Sequence, residues 1–228
     1  MASISMLVSE LAHSLKQPNN AALRENLKMI IIHTRNEIIR HSHEQHGFVD
    51  KVMNQRFVVS LQDIPDGDIE LDAQFKPYYQ FIKRTVQKVP RPIRLINNLP
   101  FDRVSSVGYL TSKVYPYIKE TTARFRDSVP GLSNMICYDY INEYIYLFPN
   151  KCKDIDVTKI CIESAFEHPT EIQLLNNDVD SMDVMMDENE WLLSEDMIGQ
   201  IKDIIYKRDL LSTVRETNEI PNTIKFNG

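Results

Sequence analysis

Residues 136–148 constrain the fold most, because aromatic and β-branched residues lie on both sides of Asn142-Glu143. Such residues favour strands, and a two-residue connection between two strands is typical of a β-hairpin. The predicted cross-strand pairs are Ile141 with Tyr144, Tyr140 with Ile145, and Tyr138 with Leu147. Nothing in this stretch suggests an active site. We therefore predict that the hairpin belongs to a β-sheet with a structural role.

The alternation of side chains divides this hairpin into two faces. One face is predicted to be dry and to join a core; it carries Ile136, Tyr138, Tyr140, Ile145 and Leu147. The opposite face carries Asp139, Tyr144 and Tyr146, and we expect it to be a wetter surface or a contact with a partner.

The composition predicts a chain that can bury a sizeable core. Of its 228 residues 43% are hydrophobic, which fits one large domain or a domain with an appendage. The three cysteines, Cys137, Cys152 and Cys161, contain no CxxC pair. We therefore expect free thiols, mostly buried in strands, and a reducing compartment.

The start of the chain predicts neither a secretory leader nor a membrane span. It lacks a basic first segment and reaches Glu10 too early for a leader. The longest aliphatic run near the start, residues 29–32, is far shorter than the roughly 20 residues of a membrane helix. We expect a protein made and kept in a cytosol.

The hydrophobic periods predict an α+β protein with an N-terminal helical hairpin, a mostly antiparallel β-sheet and a C-terminal helix. The helical hairpin occupies residues 1–47 and an antiparallel β-rich body occupies residues 48–175. An acidic connector at 176–193 precedes a C-terminal helix and tail at 194–228.

The predicted helices have clear start and stop signals. The first begins at Ser3 or Ser5, and the second runs from about Ala21 to His43, with an Asn cap before it and Gly47 after it. The last helix begins at Ser194 and presents an apolar stripe that contains Ile198, Ile201, Ile204 and Ile205.

The period changes to two after these first helices. Phe57, Val59 and Leu61 alternate with more polar or exposed positions, which predicts a strand with one buried face. A turn is predicted at residues 64–68, where Gly67 can accept a positive φ. A returning strand at 69–73 and short strands at 82–89, 94–96 and 157–162 follow, whereas residues 110–125 fit neither period.

The net charge of −6 is distributed unevenly along the chain. Residues 76–103 hold seven Lys or Arg and one acid, and residues 160–201 hold eleven acids and no Lys or Arg. Two solvated surfaces are one interpretation. The other is a head-to-tail subunit interface, which generates closed rings. Its candidate residues are Lys83, Arg84, Lys88, Arg91 and Arg94 on one side, and Asp178, Asp180, Asp183, Asp187 and Glu188 on the other.

Two patterns have a weak resemblance to metal sites. His41, His43 and His46 lie at the end of the second helix, but no further ligand is placed to complete a zinc site, so a solvated helix end is the better interpretation. Residues 176–187 resemble half of a calcium loop, but Ser181 stands where the loop needs Gly. We expect no metal and no cofactor.

Two alternatives to a structural role remain open. Asp66, Glu70 and Asp72 could serve a metal-dependent nuclease, although alternation places the last two on the outer face of a strand. The mixture of cations and aromatics around residues 78–94 is typical of a DNA-binding adaptor. A pI of about 5.5 argues against that adaptor.

Four segments, quoted as they stand, resemble virion structural proteins of crAss-like and related tailed phages of gut Bacteroidales. They are Tyr138 to Phe148 followed by Ser164-Ala-Phe-Glu-His-Pro-Thr-Glu, Lys88-Val-Pro-Arg-Pro-Ile-Arg-Leu, Pro100-Phe-Asp-Arg-Val-Ser-Ser-Val, and Ser194-Glu-Asp-Met-Ile-Gly-Gln-Ile-Lys. The likeness spans most of residues 1–215. The family's hairpin usually has Gly at the position of Glu143.

The resemblance implies a non-enzymatic ring component of the head-to-tail connector, with no catalytic residues. It implies a homo-oligomer, expected to be a dodecameric ring, that contacts the portal protein and neighbouring tail ring proteins. Genomic DNA would pass through its lumen without specific binding, and no membrane would be involved. The protein would belong to the virion at the head-tail junction or tail, after assembly in the cytoplasm of the bacterial host.

Overall fold

The computed structural model describes residues 4–65, 67–68, 81–95, 98–107, 113–119, 135–148, 156–169, 171–172 and 195–207. The chain forms two compact units, Met1–Ile39 with Met185–Gly228, and Arg40–Val184. The described helices are α1 (Ile4–Ser14), α2 (Ala21–His46) and α3 (Glu195–Ile205). The described strands are β1 (Gln55–Asp63), β2 (Lys83–Thr85), β3 (Arg103–Ser106), β4 (Cys137–Ile141), β5 (Tyr144–Phe148) and β6 (Lys159–Ser164). These elements confirm the predicted α+β class with an N-terminal helical pair, an antiparallel sheet and a C-terminal helix.

The helix-terminating signals of the sequence act as predicted. The Asn20 side-chain oxygen accepts a hydrogen bond from the Leu23 N–H at 3.1 Å and caps α2. Gly47 has a φ of +76°, and its N–H donates to the His43 carbonyl at 2.8 Å, which ends the helix. The helix extends to His46, three residues beyond the predicted end.

The first unit brings α1 and α3 together. The Lys202 ammonium lies 2.7 Å from a Glu10 carboxylate oxygen, and the Tyr206 hydroxyl donates to the Ser14 hydroxyl at 2.7 Å. Ile201 of the predicted α3 stripe is fully buried, as is Ile205. None of the helices that the structure describes is long and apolar enough to cross a membrane.

The sheet confirms the hairpin that the sequence predicted. β4 and β5 pair with all three predicted contacts, Ile141 with Tyr144, Tyr140 with Ile145 and Tyr138 with Leu147. Asn142 and Glu143 have positive φ values of 47° and 71°. Such a pair of values defines the type I′ turn, whose twist matches that of the flanking strands. Glu143 therefore adopts a left-handed backbone conformation, which is strained for a residue other than glycine.

β1 is shared between two halves of the sheet. Its first part, Gln55 to Ser60, pairs with β6, and its last part, Leu61 to Asp63, pairs with β2. The strand order is β3-β6-β1-β2-β5-β4, with antiparallel neighbours throughout. Because β1 changes partners along its length, the two halves are offset and the sheet curls.

Residues 113–119 join the two edge strands of this curled sheet. At one edge the Tyr115 N–H donates to the Val104 carbonyl of β3 at 2.8 Å. At the other edge the Ile118 N–H donates to the Tyr138 carbonyl of β4 at 2.9 Å, and the Tyr138 N–H donates to the Pro116 carbonyl at 3.0 Å. The segment thus closes the sheet on itself and pairs edges that would otherwise invite other chains. The spacing of hydrophobic residues had predicted neither a helix nor a strand for this segment.

Alternate residues of the strands fill the interior of the closed sheet. The core cluster contains Phe57, Val59, Val89, Phe101, Val104, Tyr115, Tyr138, Ile145, Leu147, Ile160, Ile162, Phe166 and Ile172, with Ile136 and Tyr140 packed against it. The predicted dry face of the hairpin is therefore confirmed. Phe101 contacts three aromatic rings, with centroid distances of 5.0 Å to Tyr140 and 6.2 Å to both Tyr138 and Phe166.

The expectation of a wetter face on the other side of the hairpin is wrong. Tyr146 is fully buried there, because it packs with Ile64, Ile82 and Phe148 in a second cluster. Asp139 is also buried, and its carboxylate accepts the Tyr140 N–H at 2.7 Å. Ile82, next to β2, and Ile64, next to β1, bury Tyr146 from neighbouring positions that are far away in sequence.

Several other strand predictions have a definite outcome. β1 shows the predicted alternation of buried and exposed residues, and β2 and β6 lie at the predicted short strands. Arg94 and Leu95 are not in a strand, so the candidate at 94–96 is wrong in its described part; the backbone here instead follows the end of β6. The returning strand at 69–73 lies outside the described residues.

Cys137 and Cys161 are free and buried, as predicted.

The packing of Phe101 makes a stability prediction. We expect Phe101→Ala to lower the free energy of unfolding by about 3–5 kcal/mol, because it removes a fully enclosed ring and leaves a cavity. The matched control is Phe48→Ala, which makes the same chemical change at a side chain that is 65% exposed. Urea unfolding monitored by circular dichroism measures both changes; equal effects would contradict the assignment of Phe101 to the core.

Candidate interaction surface

Residues 88–93 lie between the β4–β5 hairpin and the segment that follows β6. The Val89 N–H donates to the Glu143 carbonyl at 2.7 Å, and the Val89 carbonyl accepts the Tyr140 hydroxyl at 2.9 Å. On the other side, the Glu167 N–H donates to the Arg91 carbonyl at 3.0 Å. The segment is thus held by the backbones of both neighbours, although it is not itself a strand of the sheet.

A surface cleft of about 500 Å³ opens beside this segment. Its lining residues are Lys88, Val89, Pro90, Arg91, Glu143, Glu167, His168 and Glu171. Three carboxylates and two cations line the cleft, so the sequence places charges of both signs there. The lining residues come from two of the four quoted segments: residues 88–95, and the hairpin 138–148 together with residues 164–171.

Glu143 at the hairpin turn pairs with both cations of the cleft. Its carboxylate lies 3.1 Å from the Lys88 ammonium and 2.8 Å from the Arg91 guanidinium Nε. These hydrogen bonds hold the pKa of the Glu143 carboxyl below its ordinary value. A second ion pair on this side joins Arg40 to Glu167 at 3.2 Å.

Arg84 has a structural partner inside the chain. Its guanidinium lies 2.8 Å from the Asp68 carboxylate, whose side chain is fully buried, and 4.3 Å from the centre of the Tyr144 ring. The Tyr146 hydroxyl also donates to Asp68 at 3.0 Å. Burial is the main cause that raises the pKa of Tyr146 above its ordinary value. The cluster fixes the end of the turn that contains Gly67, where the φ of +89° confirms the predicted conformation.

The predicted interface residues therefore have different environments. Lys88, Arg91 and Arg84 pair with Glu143 or Asp68 of their own chain. Neither Lys83 nor Arg94 forms an ion pair with any residue that the structure describes. The acidic members Asp178, Asp180, Asp183, Asp187 and Glu188 lie outside the described residues.

The sequence patterns for metal chemistry have no assembled site in the described part of the chain. His41 lies 3.8 Å from Glu44 and 2.9 Å from the Gln45 amide nitrogen, and the His46 ring lies against Phe48. The described residues contain no group of three His, Cys, Asp or Glu side chains suited to a metal ion. Asp66, Glu70, Asp72 and the calcium-like stretch lie outside the described residues.

The outer side of β3, β6 and β1 forms a second charged surface, which sequence analysis missed. Arg103, Glu163 and Arg56 are direct cross-strand neighbours in one row. Lys159 lies on the same face of β6, two positions beyond Cys161. The four residues come from three distant stretches of sequence; the β1 alternation indicated an outward Arg56, but only the strand register brings the others beside it.

The closed sheet and its charged surfaces together define a class of protein. The body is a closed antiparallel sheet, and its polar side chains fix loops and present charged surfaces. Quoted segments from different parts of the chain meet in this body, since Phe101 packs against the hairpin through Tyr140 and against the segment after β6 through Phe166. Such an arrangement is typical of a scaffold for contacts with other proteins.

One family model, described as phage tail ring protein 2 of crAss-like phages, matches residues 3–226. The chain therefore belongs to the phage tail ring protein 2 family. No curated protein matches the chain significantly. Membership makes the chain a structural ring protein of a phage tail, which acts in an oligomeric assembly with other tail proteins of the virion.

The buried ion pair predicts a large effect of one substitution. We expect Asp68→Ala to lower the free energy of unfolding by about 3 kcal/mol or more, because it leaves the largely buried Arg84 without this carboxylate. Asp156→Ala, at an exposed acid of the same unit, is the matched control. Chemical unfolding of both variants measures the difference, and a cost below that of the control would show that Asp68 does not hold Arg84.

The Glu143 pairs predict a pH dependence. A carboxyl whose pKa is lowered in the folded state contributes stability above its unfolded pKa, and this contribution is lost as the pH falls through the folded pKa. Because Lys88 and Arg91 are largely exposed and Glu143 is only partly buried, we expect Glu143→Gln to cost about 1 kcal/mol or less at pH 7 and less than that at pH 3. Urea unfolding at both pH values, with Asp156→Asn as control, measures the change; a cost that grows at pH 3 would contradict the pairing.

Proposed function

We propose that the chain forms one ring of the portal-to-tail connector of a crAss-like phage, as a homo-dodecamer matched to the portal. The ring extends the DNA channel and docks the adjacent tail proteins. The family match over residues 3–226 carries this proposal. The ring acts through its shape and its contacts, and its work requires no enzymatic step.

The closed sheet supports the proposal because it presents side-chain surfaces for subunit contacts. Residues 113–119 of the same chain pair with part of both edge strands. A head-to-tail contact between different surfaces of identical subunits closes into a ring when the rotation permits. The separation of acidic and basic stretches along the chain supplies two such surfaces.

The basic side of this contact contains Lys83, Arg84, Lys88, Arg91 and Arg94, and the acidic side contains Asp178, Asp180, Asp183, Asp187 and Glu188. Within the basic set, Arg94 is exposed and Lys83 is half-buried, and neither has an ion-pair partner among the described residues. These two cations are therefore the members of the set most available to a neighbouring subunit.

The remaining acidic side chains serve the channel. Part of the stretch between residues 160 and 201, which has no Lys or Arg, faces the lumen and repels the phosphates of the passing genome. Repulsion of like charges keeps the DNA from binding the wall, so it can move through the ring without specific contacts. Subunits are made in the host cytoplasm and join the virion at the head-tail junction.

The stoichiometry of the particle tests this function. Quantitative mass spectrometry of purified virions should give the same copy number for this chain as for the portal protein, because stacked rings of equal symmetry contain equal numbers of subunits. The major capsid protein provides the internal control for recovery. A copy number unrelated to that of the portal would contradict the matched ring, and absence from mature particles would contradict the function itself.

A further inference from the structure

The outer face of β3, β6 and β1 presents an ordered pattern of charged and apolar residues. Its first row contains Arg103, Glu163 and Arg56. The second row, two positions along each strand, contains Val114, Ser105, Cys161 and Val58. A third row contains Lys159 and Ser60. Hereafter this surface is called the outer sheet face.

The side chains at the rim of the outer sheet face are exposed, in contrast to the covered outer side of the hairpin. Val58 is 42% exposed and Val114 is 53% exposed, whereas Cys161 and Ser105 between them are buried. The Arg56 Nε donates to the Cys161 sulfur at 2.8 Å, so the arginine lies across the first two rows. Arg103 and Lys159 are exposed as well. Val58 and Val114 thus leave apolar surface exposed at the two ends of the second row, which a protein partner can cover.

The charge of the outer sheet face is positive. Three cations, Arg56, Arg103 and Lys159, share it with a single carboxylate, Glu163. At one margin Asp102 accepts a hydrogen bond from the Asn54 amide at 2.8 Å. Burial is the main cause that raises the pKa of the Asp102 carboxyl, and the neighbouring Glu163 raises it further.

Arg94 lies near the end of β6. The Ile93 N–H donates to the Ala165 carbonyl at 2.8 Å, two residues beyond Glu163. The backbone of Arg94 is therefore close to the first row, and the residue is exposed. One member of the basic set predicted from the sequence thus lies near the outer sheet face, while Lys88 and Arg91 lie beside Glu143 in the cleft.

The chemistry of this face matches an acidic stretch of the same sequence. Residues 178–190 contain six acids, Asp178, Asp180, Asp183, Asp187, Glu188 and Glu190, and no Lys or Arg. Met182, Met185 and Met186 are interspersed among them. Acids can pair with the arginines and the lysine, and flexible methionine side chains can cover the exposed valines. A nucleic-acid backbone would satisfy the cations, but it would leave the valines uncovered and meet Glu163.

We propose that the outer sheet face binds the acidic stretch 178–190 of a neighbouring copy of this chain and so forms the lateral contact of the ring. The inference rests on the proposed ring function and adds Arg56, Arg103 and Lys159 to the basic side of the contact proposed there, with Arg94 nearby. The two surfaces differ, so the contact is head-to-tail and can close.

Two charge-reversal variants of the full chain test this contact. The face variant carries Arg56→Glu, Arg103→Glu and Lys159→Glu, and the stretch variant carries Asp178→Lys, Asp183→Lys and Glu188→Lys. Analytical ultracentrifugation at low and high salt measures self-association. We expect wild-type association that weakens with salt, and a loss of about tenfold or more in each variant alone, because like charges then face each other.

Mixing the two variants distinguishes a contact between two subunits from a contact within one subunit. In the mixture, each acidic stretch meets an unchanged basic face, and each reversed stretch meets a reversed face. Association should therefore return in the equimolar mixture, in rings of alternating variants. A stretch bound to the face of its own chain would give no such rescue. Recovery on mixing also shows that both variants are folded.

The matched control reverses three exposed cations elsewhere, Lys16→Glu, Lys119→Glu and Lys207→Glu, and should associate like the wild type. Arg94→Glu alone should give a smaller loss than the face variant. Normal association of the face variant, failure of the mixture to recover, or a wild-type chain that stays monomeric at both salt concentrations would overturn the inference. The ring function would survive each of these results if the virion still contains the chain in the copy number of the portal.

Discussion

The hydrogen bonds of residues 113–119 with β3 and β4 are the constraint on which the rest of the body depends. A curled sheet of short strands has two edges, and each edge offers unpaired N–H and C=O groups to any extended chain. Here one segment bonds to both edges, through Val104 and Tyr138. This closure joins the two edges around the aromatic core, and it links the strands that carry the outer charges.

The hairpin turn links this closed body to the loop that lines the cleft. Asn142 and Glu143 adopt positive φ values that glycine would adopt more easily. The glutamate side chain forms ion pairs with Lys88 and Arg91, which glycine cannot form. Its backbone carbonyl also accepts a hydrogen bond from the Val89 N–H. A local backbone cost is thus offset by contacts that hold a segment more than fifty residues earlier in the chain.

The charged residues of this ring protein divide into two kinds. Arg84, Lys88 and Arg91 pair with acids of their own chain, and a buried Asp68 makes the first of these pairs part of the fold. Arg56, Arg103 and Lys159 lie on the outer face of the sheet, where they share one carboxylate, Glu163, and leave a surplus of positive charge. A count of charges along the sequence does not separate these kinds, because the fold decides whether a cation lies beside a buried acid, in the cleft or on the outer face of the sheet.

The sequence by itself determined the local elements: the pairs of the hairpin, the caps of α2, the alternation of β1 and the α+β class. These follow from the preferences of neighbouring residues, which act over a few positions. The sequence mispredicted the wetter side of the hairpin and missed the closing segment and the outer sheet face. Only the tertiary structure decided that Ile64 and Ile82 cover Tyr146, and that Arg103, Glu163 and Arg56 form one row. The physical reason is that strand register and side-chain packing bring together residues that are far apart in the chain. The local hydrophobic period of a segment does not indicate which distant segment will become its neighbour.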